Sequence, residues 1–375
     1  MLRLSKAILT LALSAAAVLP VAGRPLRVAL VGDPQVNSQA ELDYARRSVY
    51  RELRERGDLD LVLVLGDLVN EKTELIAPSE ASLDSLGCPW LRVNGNHDGP
   101  DPVKDTSFVR GGVRFVLLNN IRRTKKGYEG GLNPRQSIWL ETLVREAPGS
   151  EPFVVCTHIP LAQSKGRDSL ANILARRERL LLVSAHLHQV VRRSTDGGVE
   201  DLNVGASCGS WWRGVKGPDG IPYGLMNCGA PRGYFLADFA PARKTWYRLD
   251  YKCIGRPSDE RASARYVPEG LMVNVFGGSV DGALQVRTRQ GWQRAAHCYT
   301  VASEVRDVIS FNYSKPREYR KEHKDEFIPA RRLPSPHVWV LYGVTPDDLP
   351  SDEVQLRYRD ASMRFRTSVI PNQPN

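Results

Sequence analysis

Five short apolar runs, each ending in a tight polar turn, constrain this 375-residue chain more than any other feature. Val28-Ala29-Leu30-Val31 is followed by Gly32-Asp33-Pro34-Gln35, and residues 61–65 by Gly66-Asp67-Leu68-Val69-Asn70. Leu91-Arg92-Val93 leads into Asn94-Gly95-Asn96-His97-Asp98. Residues 153–156 run into Thr157-His158, and residues 180–183 into Ser184-Ala185-His186-Leu187-His188. Unbroken apolar runs of this length mark strands buried on both faces. In open α/β sheets the crevice beyond the carboxyl ends of the strands is where ligands bind. One end of one sheet is therefore expected to gather two carboxylates, two amides and four imidazoles.

Helical patterns separate these runs. Residues 39–56 are amphipathic, and residues 134–146 read as a helix with Asn133 as its cap and Pro134 in its first turn. A further apolar run at 113–118 joins the buried set. Strands alternating with helices from 26 to about 239 predict a layered α/β domain. Beyond residue 240 the pattern changes to short alternating runs at 271–276, 282–288, 337–342 and 353–358. These predict an all-β, sandwich-like second domain with no long helix, in which the charged segment 314–332 is a solvated excursion. The expected division is a leader at 1–23, an α/β domain at 24–240 and a β domain at 241–375.

Arg3 and Lys6, an apolar run from Ala7 to Leu19 and Val21-Ala22-Gly23 make up the pattern of a secretory signal peptide. The run is short for a membrane span. A soluble periplasmic or secreted protein with no transmembrane segment after cleavage is the expectation. The formal net charge of +10 favours acidic ligands or an anionic envelope surface. With no zinc-finger spacing and no basic-aromatic stripe, nucleic acid is not expected as a partner. The six cysteines leave disulfides open, with Cys208–Cys228 and Cys253–Cys298 as the pairs to test, while Cys156 reads as a small buried hydrophobe.

The donor set carries the chemistry. Asp33 and Asp67 brought together would repel unless a cation lay between them. Oxygen and imidazole ligands without thiolate suit Mn, Fe or Zn. Two such ions clamp the attacking and leaving oxygens of an in-line displacement and lower the pKa of a bound water. His97 is the acid left for the leaving group. Of seven histidines, four fall on these turns and none of the others precedes residue 297.

Gly66-Asp67, Gly95-Asn96-His97-Asp98, His158 and His186-Leu187-His188, taken in order after the Asp33 turn, resemble the calcineurin-like metallophosphoesterases. The resemblance covers roughly residues 26–240 and implies a four-layer α/β/β/α sandwich with a dinuclear centre. It implies that Asp33, Gln35, Asp67 and His188 hold one divalent metal ion, and Asp67, Asn96, His158 and His186 the other. His97 would contact the phosphate and protonate the leaving group, and Asp98 would orient His97. One departure is Asp33-Pro34-Gln35, where the family usually has a histidine third. The later chain, with Gly209-Ser210-Trp211-Trp212 and Ser335-Pro336-His337-Val338-Trp339, resembles an exported subgroup carrying a C-terminal β-sandwich. Trp211, Trp212 and Arg213, with Asn96 and His97, are candidate substrate contacts.

These features lead to an exported dinuclear-metal hydrolase that cleaves a phosphate monoester or diester by in-line attack of metal-activated hydroxide. Its partner is then a phosphorylated small molecule or an envelope phosphoester. The rival is a metal-bearing, catalytically weak protein that binds glycan or phosphate.

Overall fold

The computed structural model describes residues 24–100, 103–194 and 199–372, so the expected leader lies outside the described residues. Two sheets form the first domain. One runs in the order Tyr247–Cys253, Gly233–Phe239, Leu26–Val31, Leu61–Val64, Trp90–Arg92. The other runs Val190–Ser194, Glu200–Val204, Leu180–Ser184, Phe153–Cys156, Val113–Leu117, Thr106–Arg110. The ligand-bearing strands are parallel within each sheet, and antiparallel strands close every edge but that formed by Trp90–Arg92.

Strand periodicity explains the layering. Val28, Leu30, Leu61 and Leu63 point inward and share a core with Phe115, Val154, Cys156, Leu181 and Val183 of the second sheet. Their neighbours Ala29, Val31, Val62 and Val64 point outward and pack under Leu42, Val49, Leu53 and Leu83. On the far side Val116, Phe153 and Val155 pack under Leu140, Val144, Leu170 and Ile173. Successive strand residues face opposite ways, so an unbroken apolar run fills both faces at once. The result is the expected α/β/β/α sandwich.

The helix Pro134–Glu146 begins where its capping chemistry dictates: Asn133 and Gln136 form a reciprocal capping box, with Pro134 in the first turn. The expected 39–56 helix is continuous in direction but changes pitch. Gln39–Ala45 and Arg51–Arg56 are α-helical, and Arg46–Tyr50 between them is a π turn.

The second domain stacks two antiparallel four-stranded sheets. They run Ala262–Val267, Gly270–Val275, Val338–Tyr342, Ala296–His297 and Gly291–Arg294, Ala283–Thr288, Val354–Arg359, Arg364–Val369. Their inner faces (Leu271, Val273, Leu284, Val286, Trp339, Leu356) continue the core between the first two sheets.

Two expectations are corrected here. Strand Tyr247–Cys253 lies beyond the expected boundary at 240, yet it pairs along its length with Gly233–Phe239 in the first domain. And the second domain is not all strand: Ser303–Ser314 is a helix ahead of the charged segment 314–332. Within that segment Arg317–Glu322 is a second helix with no buried residue and keeps to solvent as expected. Ala302, Val305 and Ile309 make a narrow apolar stripe that packs on Met272, Val338 and Val340. That stripe is too thin to stand out of its polar surroundings in sequence.

Among the described residues no helix is long and apolar enough to cross a membrane. None of the six cysteines is paired, which removes both candidate disulfides. Cys156 is buried as expected, and burial pushes its thiol up to about 12.

Candidate metal centre

The five turns converge, but at the shared rim of two sheets rather than at the end of one. Asp33, Asp67 and Asn96 follow strands of the first sheet; His158, His186 and His188 follow strands of the second. Packing the sheets face to face brings both sets of carboxyl ends to one side. Nitrogen or oxygen atoms of Asp67, His158 and His186 all lie within 4.8 Å of one another.

The backbone is strained there. Among the described residues seven non-glycine residues have left-handed φ: Asp33, Gln35, Asp67, Glu71, His186, His188 and Trp211. Five of them are expected ligands. Each such residue costs on the order of 1–3 kcal/mol and persists where the surroundings impose it, commonly at functional sites. Glycine supplies close approach at two further points. A Cβ on Gly66 would stand 2.5 Å from His158 Nδ1, and one on Gly95 would collide with the Asp67 carboxylate.

Each donor is aimed by its neighbours. His158 is fully buried, and its Nδ1 lies 2.7 Å from the Leu65 carbonyl, which leaves Nε2 for the site. That Nε2 lies 3.0 Å from Asn96 Oδ1, 3.3 Å from Asp67 Oδ2 and 3.2 Å from His186 Nδ1. His188 Nδ1 lies 2.6 Å from the Gly209 carbonyl, again leaving Nε2. A carbonyl that fixes the tautomer in this way is the usual support of a metal-bound imidazole. Asp33 Oδ2 accepts from the His186 backbone N–H at 3.0 Å, and Gln35 Nε2 donates to Asp67 Oδ2 at 3.4 Å.

Three buried polar atoms of this set have no hydrogen-bond partner, Asp33 Oδ1, Gln35 Oε1 and Asn96 Nδ2, although Asp33 Oδ1 lies 3.7 Å from His158 Nδ1. A buried unpaired polar group is costly, and native proteins rarely keep one without a ligand. Two of the three are oxygens with lone pairs to offer. The third is an amide whose nitrogen and oxygen are interchangeable by rotation. The residues present therefore fit a pair of divalent cations.

Electrostatics point the same way. Burial raises the Asp33 carboxyl well above the usual range, with His158 pulling against it and Asp67 adding to it. Burial also acts on Asp67, but the proton held by His158 brings that carboxyl down to about 2. His158 is correspondingly held up at about 9, because Asp67 and Asp33 outweigh the effect of burial. Burial and the His158 charge push His186 down to about 4, and burial lowers His188. The His158 charge thus does for the two carboxylates part of what a cation would do.

His97 stands at the solvent side, and its Nδ1 lies 2.7 Å from Glu71 Oε1. Asp98 was expected to orient His97; instead it is buried and accepts from the backbone N–H groups of Val69 and Gly95, bracing the turn. Glu71 has no signal in the sequence beyond standing near the Gly66-Asp67 turn; only its left-handed φ of 64° marks it. Tyr128 is also new: the hairpin Ile121–Thr124/Gly127–Gly131 sets its ring 5.9 Å from that of His186.

Of the candidate substrate contacts, Trp211 stands beside the site, 5.6 Å from the His188 ring and 6.4 Å from His97. Trp212 does not. It is buried behind the Asp33 turn, donates from Nε1 to the Pro34 carbonyl and is capped by Arg232. The left-handed backbone at Trp211, φ 71°, lies where the two rings part, one toward the site and the other into the core. Arg213 turns toward Asp325, 3.9 Å away.

Two sandwiched sheets with a buried carboxylate, amide and imidazole rim define a class of protein built to hold divalent cations at a crevice. A sequence model described as "Calcineurin-like phosphoesterase" matches residues 26–190, and one described as "C terminal of Calcineurin-like phosphoesterase" matches residues 201–361. Between them they take in most of the chain, which belongs to the calcineurin-like phosphoesterase family and is a metal-dependent phosphoesterase.

No curated protein sequence gives a significant match. Among solved structures, the chain is similar to a dimetal phosphatase from Danio rerio, with 14% identity, 58% of this chain and 93% of that one covered, and a TM-score of 0.46. A purple acid phosphatase from yellow lupin (Lupinus luteus) seeds gives 13%, 66%, 50% and 0.38 in the same order. A 5'-nucleotidase from Candida albicans gives 10%, 61%, 52% and 0.36. Scores this low carry no argument about chemistry.

Proposed function

We propose that this chain is an exported hydrolase of phosphate monoesters or diesters, working with two divalent cations at the rim. The observation that carries the reading is the pair of buried oxygens without a hydrogen bond, Asp33 Oδ1 and Gln35 Oε1, set among strained donors. Asp33, Gln35, Asp67 and His188 would hold one cation; Asp67, Asn96, His158 and His186 would hold the other. When bound, such ions supply an activated water and neutralise the charge that develops on the phosphoryl oxygens.

The chain's own groups do the rest. His97 has Nδ1 committed to Glu71, so Nε2 is the nitrogen that hands a proton to the leaving oxygen. Asn96, between His97 and the metal rim, and the Trp211 ring beside it flank the ester. Export rests on the pattern of residues 1–23, and burial of four of the six free cysteines keeps those thiols from an oxidant.

Metal-loaded protein should release p-nitrophenol from p-nitrophenyl phosphate or its bis-ester. His97→Asn should lower turnover by about 10²- to 10⁴-fold with metal content unchanged. Asp67→Asn should lower it further and reduce bound metal. Inertness toward a broad phosphoester panel, with metal content verified, would refute hydrolysis and favour the weak-binding alternative.

A further inference from the structure

The outer face of the sheet Gly291–Arg294, Ala283–Thr288, Val354–Arg359, Arg364–Val369 carries six arginines: 287, 294, 357, 359, 364 and 366. Leu284, Val286, Val354, Leu356 and Tyr358 face the core, so the alternate residues face solvent. Register lines the arginines up across strands. Arg357 stands opposite Arg366, Arg359 opposite Arg364, and Gln285 between Arg294 and Arg357.

None of the six has a carboxylate partner among the described residues; the arginine ion pairs lie elsewhere, at Arg27, Arg192 and Arg265 for example. Trp292 braces two of them, with the Arg357 and Arg287 guanidiniums 4.4 Å and 5.9 Å from its ring centre. Arg357 also donates to Gln285 Oε1 at 2.6 Å. A shallow depression of about 740 Å³ on this face is lined by Gln285, Arg357, Arg359, Arg364, Phe365 and Arg366.

Folding does not account for the arrangement. Like charges directly opposite across a ladder are destabilising. Charges on an edge strand do guard against aggregation, which would explain Arg364 and Arg366. It leaves Arg357 and Arg359, one strand further in, and Arg287 beyond them without a reason.

We propose that this face is a docking surface for a linear chain of phosphates without bases, of the inorganic polyphosphate type. Guanidinium forks match phosphate oxygens two at a time. Neighbouring strands lie about 4.8 Å apart, so guanidiniums on adjacent strands can engage phosphates at intervals along one extended chain. A lipid surface suits the face less well. Membrane-docking faces carry exposed apolar anchors, and among the described residues only Ile370, just past the last strand, is a large exposed apolar side chain near the arginines in sequence. Base-stacking nucleic acid also suits it less well, because the outward aromatic ring, Trp292, is already occupied by guanidiniums.

The test uses the full metal-loaded chain. Long-chain inorganic polyphosphate is titrated against it at low and moderate salt, with orthophosphate, single-stranded DNA and phosphatidylglycerol vesicles in parallel. Polyphosphate should bind, orthophosphate should compete poorly, and affinity should fall about tenfold or more between roughly 50 and 200 mM salt. The triple substitution Arg359→Thr, Arg364→Thr and Arg366→Thr should weaken binding at least tenfold and leave p-nitrophenyl phosphate turnover within about twofold. Threonine suits a strand, and retained turnover reports that the variant is folded. No polyphosphate binding at low salt, equal binding by the variant, or tighter binding to vesicles or DNA at matched charge would each overturn the proposal.

Discussion

The molecule buries two clusters of charge, and they are built in opposite ways. At the metal rim, donors are left without hydrogen bonds and five of the seven expected ligands sit on left-handed backbone. At the domain junction, the buried Arg192 guanidinium has every donor used. It pairs with Glu200 at 2.7 Å and Asp360 at 2.9 Å, and donates to the Gly277 carbonyl and Ser362 Oγ. Tyr247 and Ser362 complete Glu200, and Tyr358 completes Asp360. These groups come from both sheets of the first domain and from the second domain. A closed network fixes how elements meet; an open, strained one waits for a ligand. Burial and charge alone do not tell them apart, but satisfaction does.

The largest expected effect breaks the closed cluster. Arg192→Met leaves Glu200 and Asp360 buried without a counter-charge and should cost about 3–5 kcal/mol. The loss should be equal with and without metal. Asp33→Asn should do the reverse: no loss of stability in metal-free protein, since burial already raises that carboxyl, and loss of the increment that metal confers. With metal at roughly 100 times its dissociation constant the increment is about 2.7 kcal/mol. Urea unfolding of both variants with and without chelator measures the contrast. If Asp33→Asn destabilised the metal-free protein as much as Arg192→Met does, the distinction between the clusters would fail.

Histidine sharpens the same contrast. His158 is held up by carboxylates, whereas buried His337, whose Nδ1 lies 2.7 Å from Asn274 Oδ1, is pushed by burial from 6.5 down to about 3. Below pH 6.5 the unfolded chain takes up a proton that folded His337 refuses. Stability contributed above that pH is therefore lost as pH falls toward 3, by up to about 1.4 kcal/mol per pH unit. Between pH 6.5 and 5 the expected loss is about 1.7 kcal/mol. His337→Gln should flatten that part of the stability profile whatever its effect at neutral pH. An unchanged slope would show that another group sets it.

What sequence showed and what it hid follow from range. The ligand turns were legible because strand and turn are local: an unbroken apolar run, a glycine and a donor lie within a few residues of one another. Their division between two sheets was not legible from periodicity, since Leu61–Val64 and Phe153–Cys156 look alike until pairing assigns each a neighbour. The same limit hid the Ser303–Ser314 helix, whose stripe needs Met272 and Val340 to become a core. It also misassigned Trp212, because the parity of two adjacent tryptophans depends on where the chain turns. Asp98 and Glu71 exchanged places for a similar reason. A carboxylate next to His97 in sequence was the nearer candidate, but its backbone neighbours claim it.

Glu71 gives the smallest and most discriminating expectation. Its side chain is 67% exposed, so Glu71→Gln should leave stability within about 0.5 kcal/mol. It should lower kcat about tenfold with little change in KM, because the carboxylate on Nδ1 orients His97 toward the leaving oxygen. Glu71→Gly should show the same kinetic loss while relieving the backbone at φ 64°, making it neutral to more stable by up to about 1 kcal/mol. A residue kept for folding would show the opposite pairing, with stability falling and turnover spared. Steady-state kinetics and unfolding of the two variants separate these cases, and unchanged kcat in both would return the orientation of His97 to some other group.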